Sequence, residues 1–293
     1  MSSAEPTRIA IIGGSGLYEL AGLDEVGERV IETPFGAHSP GLFVGRLEDR
    51  PVAFLARHGR AHRLLPAEIN YRANIFALKT LGVERIVSAS AVGSMRTGIR
   101  PQDVVLVDQF IDRGQHRQAT FFGDGVVAHI SFADPVCPEL RAALTGIAGR
   151  LGARAHDGGT YLCIEGPAFS TRAESRLYRS WGVDVIGMTN MHEAKLAREA
   201  EICYATMALV TDYDCWHDGE DDVSVAALLD NLRANGELAA GVVRQAVRSM
   251  PVERSACGCS TALEHAILTP PGSIPHGTLR RLEPILGKYV RVP

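Results

Sequence analysis

The sequence lacks any apolar run close to the roughly 20 residues that a helix needs to cross a bilayer, and it lacks an excess of basic residues. Lys and Arg number 30 and Asp and Glu number 34, which gives a net charge of -4. We therefore expect no binding to nucleic acid or to an anionic membrane surface. The first seven residues are mostly polar and do not have the parts of a signal peptide. A cytoplasmic location is the resulting expectation.

Several catalytic motifs are missing as well. Residues 13–16, Gly-Gly-Ser-Gly, are not the G-x-G-x-x-G of dinucleotide-binding folds, and the lysine of a P-loop does not follow them. The G-x-S-x-G motif that carries a serine nucleophile is absent. Neither Cys163 nor Cys215 belongs to a recognisable cysteine–histidine motif. Covalent catalysis is therefore not expected.

The six cysteines do not form a standard metal motif. Four of them lie in or beside apolar segments and are expected in the core; they are Cys137, Cys163, Cys203 and Cys215. The C-x-C pair Cys257 and Cys259 lacks the C-x₂₋₄-C spacing and the partner pair of most zinc sites. A redox pair, a strained disulfide or no role remain open for this pair, and we expect no metal.

The order of predicted elements indicates an α/β fold, because strands alternate with helices. Strands are predicted at 8–12, 52–56, 85–91, 104–110, 160–165, 183–187 and 202–211. Helices are predicted at 66–81, 138–151, 172–181, 193–200 and 223–250. No Gly/Ser-rich linker divides the chain, so one domain is expected over residues 1–250. Residues 251–293 are expected to be a C-terminal extension that packs on the same domain.

Two carboxylates follow the last predicted strand, at Asp212 and Asp214. Because side chains at i and i+2 of an extended segment point the same way, both should emerge at a strand end, where ligands bind in open α/β sheets. Their mutual repulsion should raise the pKa of at least one. The alternative is an ordinary turn, in which the carboxylates cap backbone N–H groups.

A dense cationic cluster, residues 57–62, follows another predicted strand and holds two arginines and two histidines. An arginine fork matches phosphate oxygens, although pairing with surface acids is the alternative for some of these side chains. Further donors follow other strands, and if the sheet is largely parallel they gather at one edge. Together they predict a phosphate cradle made of Ser15, Arg57, His58, Ser90 and Thr189.

A phosphate cradle beside a carboxylate pair predicts phosphorolysis of an N-glycoside. Phosphate would attack a sugar carbon with oxocarbenium character, as in glycoside hydrolysis. The carboxylates would hydrogen-bond or protonate the departing nitrogen base. Phosphate is then a co-substrate, and no cofactor is expected.

Eight short motifs lie in order along the chain, at 11–17, 33–36, 56–60, 70–74, 108–112, 165–167, 172–174 and 212–216. Together they resemble the trimeric purine nucleoside phosphorylase family, and within it the methylthioadenosine phosphorylases. The resemblance implies a single-domain phosphorylase fold with a central mixed β-sheet flanked by helices, and a homotrimer. It adds Ala91 to the phosphate residues. It also implies nucleoside binding by Ile164, Phe169, Met188, Val225, Leu228, Leu229 and, from a neighbouring subunit, His129.

The resemblance also implies the reaction, which converts 5′-methylthioadenosine and phosphate to adenine and 5-methylthioribose 1-phosphate in purine and methionine salvage. Family members with asparagine at position 212 favour 6-oxopurines. Aspartate suits a 6-amino group, because an ionised carboxylate accepts hydrogen bonds but cannot donate them. The alternatives are a 5′-methylthioinosine or general purine nucleoside phosphorylase, and a nucleoside-binding protein with an inactive site. Packing in an ordinary helix core is the alternative role for Val225 and its neighbours.

The chain departs from the family pattern at three places. Ala168 stands where many members have arginine, and His192 stands where proline is usual; we expect His192 in a loop or at the surface. The C-x-C ending lies beyond the common core. Some thermophile members have a similar ending that forms disulfides.

Overall fold

The structure is a computed structural model that describes residues 6–14, 23–217, 225–254 and 257–290. For residue 25 and residues 225–229 it describes the backbone alone. The strands are β1 (Ile9–Gly13), β2 (Asp24–Glu28), β3 (Leu42–Leu47), β4 (Arg50–Ala56), β5 (Arg85–Ser94), β6 (Val104–Leu106), β7 (Gln109–Arg113), β8 (Ala155–Asp157), β9 (Thr160–Ile164), β10 (Val185–Gly187) and β11 (Cys203–Asp212).

The helices are α1 (Tyr71–Thr80), α2 (Pro138–Arg150), α3 (Arg172–Ser180), α4 (Asn190–Glu199), α5 (Val225–Ser249), α6 (His276–Arg281) and α7 (Glu283–Leu286). Short 3₁₀ turns span Asp214–Trp216, Gly258–Thr261 and Pro271–Ser273. Among the described helices, none combines the length and the apolar character that crossing a membrane requires.

Within the described residues the strands form one mixed sheet. The ten-residue strand β5 is its centre: it runs parallel to β1 and β11, and its last residues pair antiparallel with β10. β4 extends the sheet beyond β1, and β9 and β7 extend it beyond β10. This confirms the expected mixed sheet flanked by helices, and it brings the C-terminal ends of β4, β5, β9 and β11 to the same region.

The two faces of the sheet pack against different helices, as alternation along a strand requires. Ile9 and Ile11 of β1 lie in one apolar cluster with α2 and α5. Ala10 and Ile12 lie in a second cluster with α1, α4 and the C-terminal segment. β1 is therefore buried on both faces, which explains its unbroken apolar sequence.

The C-terminal segment, residues 257–290, packs on the same sheet. Leu263, Leu279, Leu282 and Ile285 belong to the cluster around α1 and α4. The backbone also joins it to the loop before α2, because the N–H of His129 donates to the carbonyl of Ala266 at 2.9 Å.

Three features differ from the expectations. The predicted strand 104–110 is divided into β6 and β7. β6 pairs with β11 and β8, whereas β7 pairs with β9. Helix α1 begins at Tyr71 rather than near 66, where Asn70 caps it by accepting from the Ala73 N–H at 3.1 Å. Strands β2, β3 and β8 were not predicted.

Candidate active site

A cavity of about 350 Å³ opens where β4, β5, β9, β10 and β11 end. Ten of the residues predicted for the site line it: Arg57, His58, Ser90, Ala91, Ile164, Phe169, Met188, Thr189, Asp212 and Asp214. They come from five separate strand ends and the loops that follow. The expectation that donors and carboxylates from different strands meet at one edge is therefore confirmed.

Five other predicted residues are not placed in the cavity. Ser15 lies outside the described residues, and so do the side chains of Val225, Leu228 and Leu229. His129 is exposed and is not part of the cavity lining in this single chain. Leu232, on the same helix as the three undescribed side chains, does line the cavity.

Arg57 is the fixed cation of the cavity. Its guanidinium is buried, and it donates to the Glu193 carboxylate from Nε at 2.6 Å and from Nη2 at 3.1 Å. Nη1 donates to the Ala89 carbonyl at 2.7 Å. Burial lowers the pKa of Arg57. The charge of Glu193 and the hydrogen bond between the two side chains raise it by more, so the net shift is upward. A Cβ at Gly14 would lie 2.7 Å from Nη1, which is why that position needs glycine.

Buried polar side chains hold this pair in place. Asn190 donates through Nδ2 to Ser88 at 3.1 Å and to Tyr204 at 2.9 Å. The Tyr204 hydroxyl donates to Glu193 at 2.8 Å. Ser90, which lines the cavity, donates to the Asn190 side-chain oxygen. The roles of Glu193, Asn190 and Tyr204 were not predicted from the sequence, because their hydrogen-bond partners lie on distant elements. A buried arginine requires a carboxylate partner, but no sequence signal identifies which carboxylate it is.

His58 lies beside Arg57 as a neutral ring. Burial, followed by the charge of Arg57, lowers the pKa of His58 to about 4. Its Nδ1 donates to the Leu64 carbonyl at 2.9 Å, so Nε2 is the acceptor of the neutral ring. The ring stacks on His62, which also lines the cavity. His58 can therefore accept a hydrogen bond from a hydroxyl group of a bound anion through Nε2.

Helix α4 begins at the cavity. Thr189 is its N-cap residue, is 4% exposed and lines the cavity. The first N–H groups of a helix have no intrahelical acceptor and favour an anion. Arg57, Thr189 and the start of α4 provide donors suited to an oxyanion, and Nε2 of His58 provides an acceptor for a hydroxyl of that anion.

The carboxylate pair lies at the end of β11. Asp212 accepts from the Thr211 hydroxyl at 2.7 Å and from the Asp214 N–H at 2.8 Å. Asp214 accepts from the Ser175 hydroxyl at 2.5 Å. The turn interpretation is thus partly right, since Asp212 does cap a backbone N–H, yet both side chains line the cavity.

The pKa of Asp214 is raised, chiefly by burial and to a lesser degree by the charge of Asp212. The sequence analysis predicted a raised pKa from repulsion alone, so the direction is confirmed and the main cause is different. Asp214 has a φ of +52°, which departs from the extended geometry assumed for the pair. A Cβ at Gly93 would lie 2.9 Å from Asp212 Oδ1, so glycine leaves room for this carboxylate.

Arg117 organises the wall of the cavity and was also missed. Its guanidinium donates to the carbonyls of Met188 and Glu165, and its side chain is 1% exposed. Arg117 therefore links the two loops that contribute Met188 and Pro167 to the cavity lining.

The model of the phosphorylase superfamily matches residues 8–248. The chain belongs to the phosphorylase superfamily.

Two relatives within this superfamily are both S-methyl-5'-thioadenosine phosphorylases. The chain is 59% identical to the S-methyl-5'-thioadenosine phosphorylase of Geobacter sulfurreducens, over 96% of this chain and 99% of that protein. It is 56% identical to the S-methyl-5'-thioadenosine phosphorylase of Gloeobacter violaceus, over 96% of each chain.

Solved structures show the same fold. A methylthioadenosine phosphorylase from an antarctic soil metagenomic library superposes with a TM-score of 0.91 at 50% identity, and the match covers 96% of this chain and 99% of that one. The methylthioadenosine phosphorylase of Schistosoma mansoni in complex with adenine gives a TM-score of 0.81 at 35% identity, covering 85% and 93%.

Two of the departures from the family pattern, Ala168 and His192, differ in their surroundings. Ala168 is exposed and is not part of the cavity lining. The expectation for His192 is wrong: it lies on α4, is 1% exposed and packs 5.2 Å from the Tyr71 ring. Residues 190–199 form a helix whose first turn is buried against α1, which a single sequence does not reveal.

Proposed function

We propose that the protein catalyses phosphorolysis of S-methyl-5'-thioadenosine, giving adenine and 5-methylthioribose 1-phosphate. The observation that carries the proposal is one cavity that combines Arg57, His58 and Thr189 with Asp212 and Asp214. The names of the relatives support the same reaction.

Phosphate is the nucleophile and binds at the cationic end. Arg57 supplies a fixed charge, the start of α4 supplies N–H donors, and Ser90 and the Ala91 backbone complete the cradle. The phosphate hydroxyl donates a hydrogen bond to Nε2 of His58. Ser15 is proposed for the same cradle from the sequence. Phosphate is a co-substrate, and the proposal needs no cofactor.

The departing base is managed by the two carboxylates. A phosphate oxygen bonds to C1′ while the C1′–N9 bond breaks and its electron pair moves into the purine. Asp214, whose pKa is raised mainly by burial, donates a proton to the leaving base. Asp212 accepts a hydrogen bond from the 6-amino group. A 6-oxopurine would instead face this carboxylate with a carbonyl, which is disfavoured.

The sugar and its substituent occupy the remaining lining. Met188 lies against the ribose, and Ile164 and Phe169 flank the base and sugar. The methylthio group faces α5, where Leu232 lines the cavity and where Val225, Leu228 and Leu229 are the sequence-based candidates.

We also propose a homotrimer, in which His129 of one subunit completes the cavity of the next. His129 is exposed, and Val127 and Leu268 beside it are 48% and 61% exposed although apolar. Such residues are candidates for an interface. We further propose that it functions in the cytoplasm, as expected from the sequence, and that its substrate and products place it in purine and methionine salvage.

The decisive assay measures free adenine after addition of methylthioadenosine, with and without phosphate. We expect adenine release that depends on phosphate. Cleavage of methylthioinosine in preference would favour the 6-oxopurine alternative, and binding without turnover would favour a nucleoside-binding protein.

A matched pair of arginine variants tests the cradle. Arg57→Ala should raise the phosphate KM strongly, by a factor of 10 or more, on the order of the 1.5–3 kcal/mol of a hydrogen bond to a charged group. Arg60→Ala is the control, because Arg60 is exposed and packs over Phe43 rather than in the cavity. An equal phosphate KM in both variants would remove Arg57 from the cradle.

A further inference from the structure

Four buried cysteines outside the cavity lie together. The sulfur atoms of Cys137, Cys203, Cys257 and Cys259 are all within 4.8 Å of one another. None of the four forms a disulfide in the structure. No metal was expected from the sequence, because the C-x-C pair lacks a neighbouring partner pair. The fold supplies that partner pair as Cys137 and Cys203, which lie 54 to 122 positions away along the chain.

Three separate parts of the fold contribute to the cluster. Cys137 is the N-cap residue of α2, and Cys203 is the first residue of β11. Cys257 and Cys259 stand at the start of the C-terminal segment. The cluster therefore lies where that segment meets the sheet and α2.

The spacing of the sulfurs suits a single tetrahedral ion. Zinc–thiolate bonds of about 2.3 Å place the sulfurs of a tetrahedral site about 3.8 Å apart. The sulfurs of Cys203 and Cys257 are 3.3 Å apart, and no pair exceeds 4.8 Å. A cluster of several irons and sulfides would hold the four ligands further apart, so one ion fits better.

The surroundings can offset the charge of a tetrathiolate site. Cys137 is the N-cap residue of the 13-residue helix α2, so its sulfur lies at the positive end of that helix. The side chain of Arg198 places a positive charge near Cys259. The remaining neighbours are apolar residues of the cluster around α2 and α5, which exclude water.

We propose that Cys137, Cys203, Cys257 and Cys259 bind one zinc ion as thiolates, and that this ion fastens the C-terminal segment to the sheet. Binding forms four Zn–S bonds and releases the thiol protons to solvent, with no change of oxidation state. The ion has a structural role and takes no part in the reaction at the cavity.

The competing arrangement is a pair of disulfides, which needs an oxidant. A disulfide bond is about 2.05 Å long, much shorter than the 3.3 Å between Cys203 and Cys257. The two arrangements differ in their count of free thiols. Zinc leaves all six cysteines reduced, whereas two disulfides leave only Cys163 and Cys215.

The test measures zinc content and thiols of the full-length protein, purified without reductant or chelator. We expect about one zinc per chain, and six thiols after denaturation with a chelator. Two thiols and no zinc would overturn the proposal in favour of disulfides. Six thiols without zinc, after growth in zinc-supplemented medium, would overturn it as well.

Variants assign the ligands. Cys259→Ser should lower the zinc content well below one per chain and lower the thermal midpoint. Cys215→Ser is the matched control, because Cys215 is outside the cluster and is half-buried; it should retain zinc. Equal zinc in both variants would contradict the assignment.

Cobalt substitution tests the wild-type chain in case Cys259→Ser does not fold. Protein stripped of metal and reloaded with Co²⁺ should show intense visible bands of tetrahedral cobalt and strong sulfur-to-cobalt charge transfer. Weak bands typical of six-coordinate cobalt, or no spectrum, would overturn the tetrathiolate site.

Discussion

Asp212 caps a backbone N–H, and the same carboxylate is the one that we propose to recognise the base. Its two oxygens accept from Thr211 and from the Asp214 N–H, which fixes the carboxylate plane at the end of β11. Each carboxylate oxygen has a second lone pair, so capping leaves acceptor capacity for a ligand. A functional pair and an ordinary turn were predicted as alternatives, but the two are compatible, because the turn leaves both side chains in the cavity lining.

Exchanging Asp212 for asparagine should reverse the preference for the purine. Asp212→Asn introduces a donor toward position 6 of the base, so we expect kcat/KM for methylthioadenosine to fall about 10- to 100-fold, or ~1.4–2.7 kcal/mol. The value for methylthioinosine should rise, and the phosphate KM should stay within about twofold. Parallel initial-rate measurements on both nucleosides check this. An unchanged ratio of the two substrates would remove Asp212 as the selecting residue.

His192 is a second residue whose environment sets a measurable property. Burial, and next the charge of Arg117, lower the pKa of His192 to about 4, while Asp112 and Glu165 act in the opposite direction. The unfolded chain takes up this proton near pH 6.5, but the folded chain takes it up only near pH 4. Stability from this group is therefore complete above pH 6.5 and is lost as the pH falls toward 4.

Replacement of His192 by an apolar residue should remove that loss. Between pH 7 and pH 5 we expect the free energy of unfolding of the wild type to fall by about 2 kcal/mol more than that of His192→Leu. Denaturant titrations at the two pH values measure it. Glu199, whose pKa is raised to about 7 mainly by burial, has an opposite dependence but is common to both proteins. Parallel pH curves for the two proteins would contradict the assignment.

At the scale of elements, α4 supports the proposed phosphate cradle. Its N-cap residue Thr189 lines the cavity, and Glu193 in its first turn pairs with Arg57 just after β4. Both side chains are almost fully buried, at 1% and 3% exposure. Removing one partner of a buried pair typically costs about 3–5 kcal/mol, because an uncompensated charge remains.

This pairing predicts a specific response to phosphate. Glu193→Gln keeps the shape but removes the countercharge of Arg57, so the protein should lose several kcal/mol of stability, roughly in the range for a broken buried pair. Phosphate should then supply the missing charge and raise the thermal midpoint more than it does in the wild type. Thermal unfolding with and without phosphate measures both effects.

Glu174→Gln is the matched control for that variant. Glu174 is exposed and belongs to the capping box of α3, a position that glutamine also fills, so this variant should keep nearly all of its stability and leave the phosphate response unchanged. Equal phosphate responses in all three proteins would mean that Arg57 does not face the phosphate.

The sequence predicted elements well where pattern and burial agree. The apolar runs of β1, β4, β5 and β11 are buried on both faces, so their composition alone indicates strands. Sequence reasoning failed for β2, whose sequence Asp-Glu-Val-Gly-Glu has no apolar period and which pairs with β3 at one end of the described strand order. It also joined β6 and β7, because a change of pairing partner leaves no mark in hydrophobicity.

For the whole molecule, the limit of sequence reasoning is distance along the chain. Local motifs at five strand ends indicated the cavity, since a sheet brings such ends together whatever their separation. The partners of Arg57 and of the Cys257–Cys259 pair were not predictable in this way. Glu193 lies 136 residues from Arg57, and only the packing of α4 joins them.

The last prediction concerns sites shared between subunits. If His129 of one subunit completes the cavity of the next, His129→Ala and Asp214→Ala should each impair turnover when pure. Trimers formed by unfolding and refolding an equal mixture should regain activity, because about a quarter of the sites then combine an intact Asp214 with a neighbour's intact His129. Turnover of the mixture against the average of the two pure variants measures this. Mixing without refolding is the control, and no gain after verified subunit exchange would place the whole site within one chain.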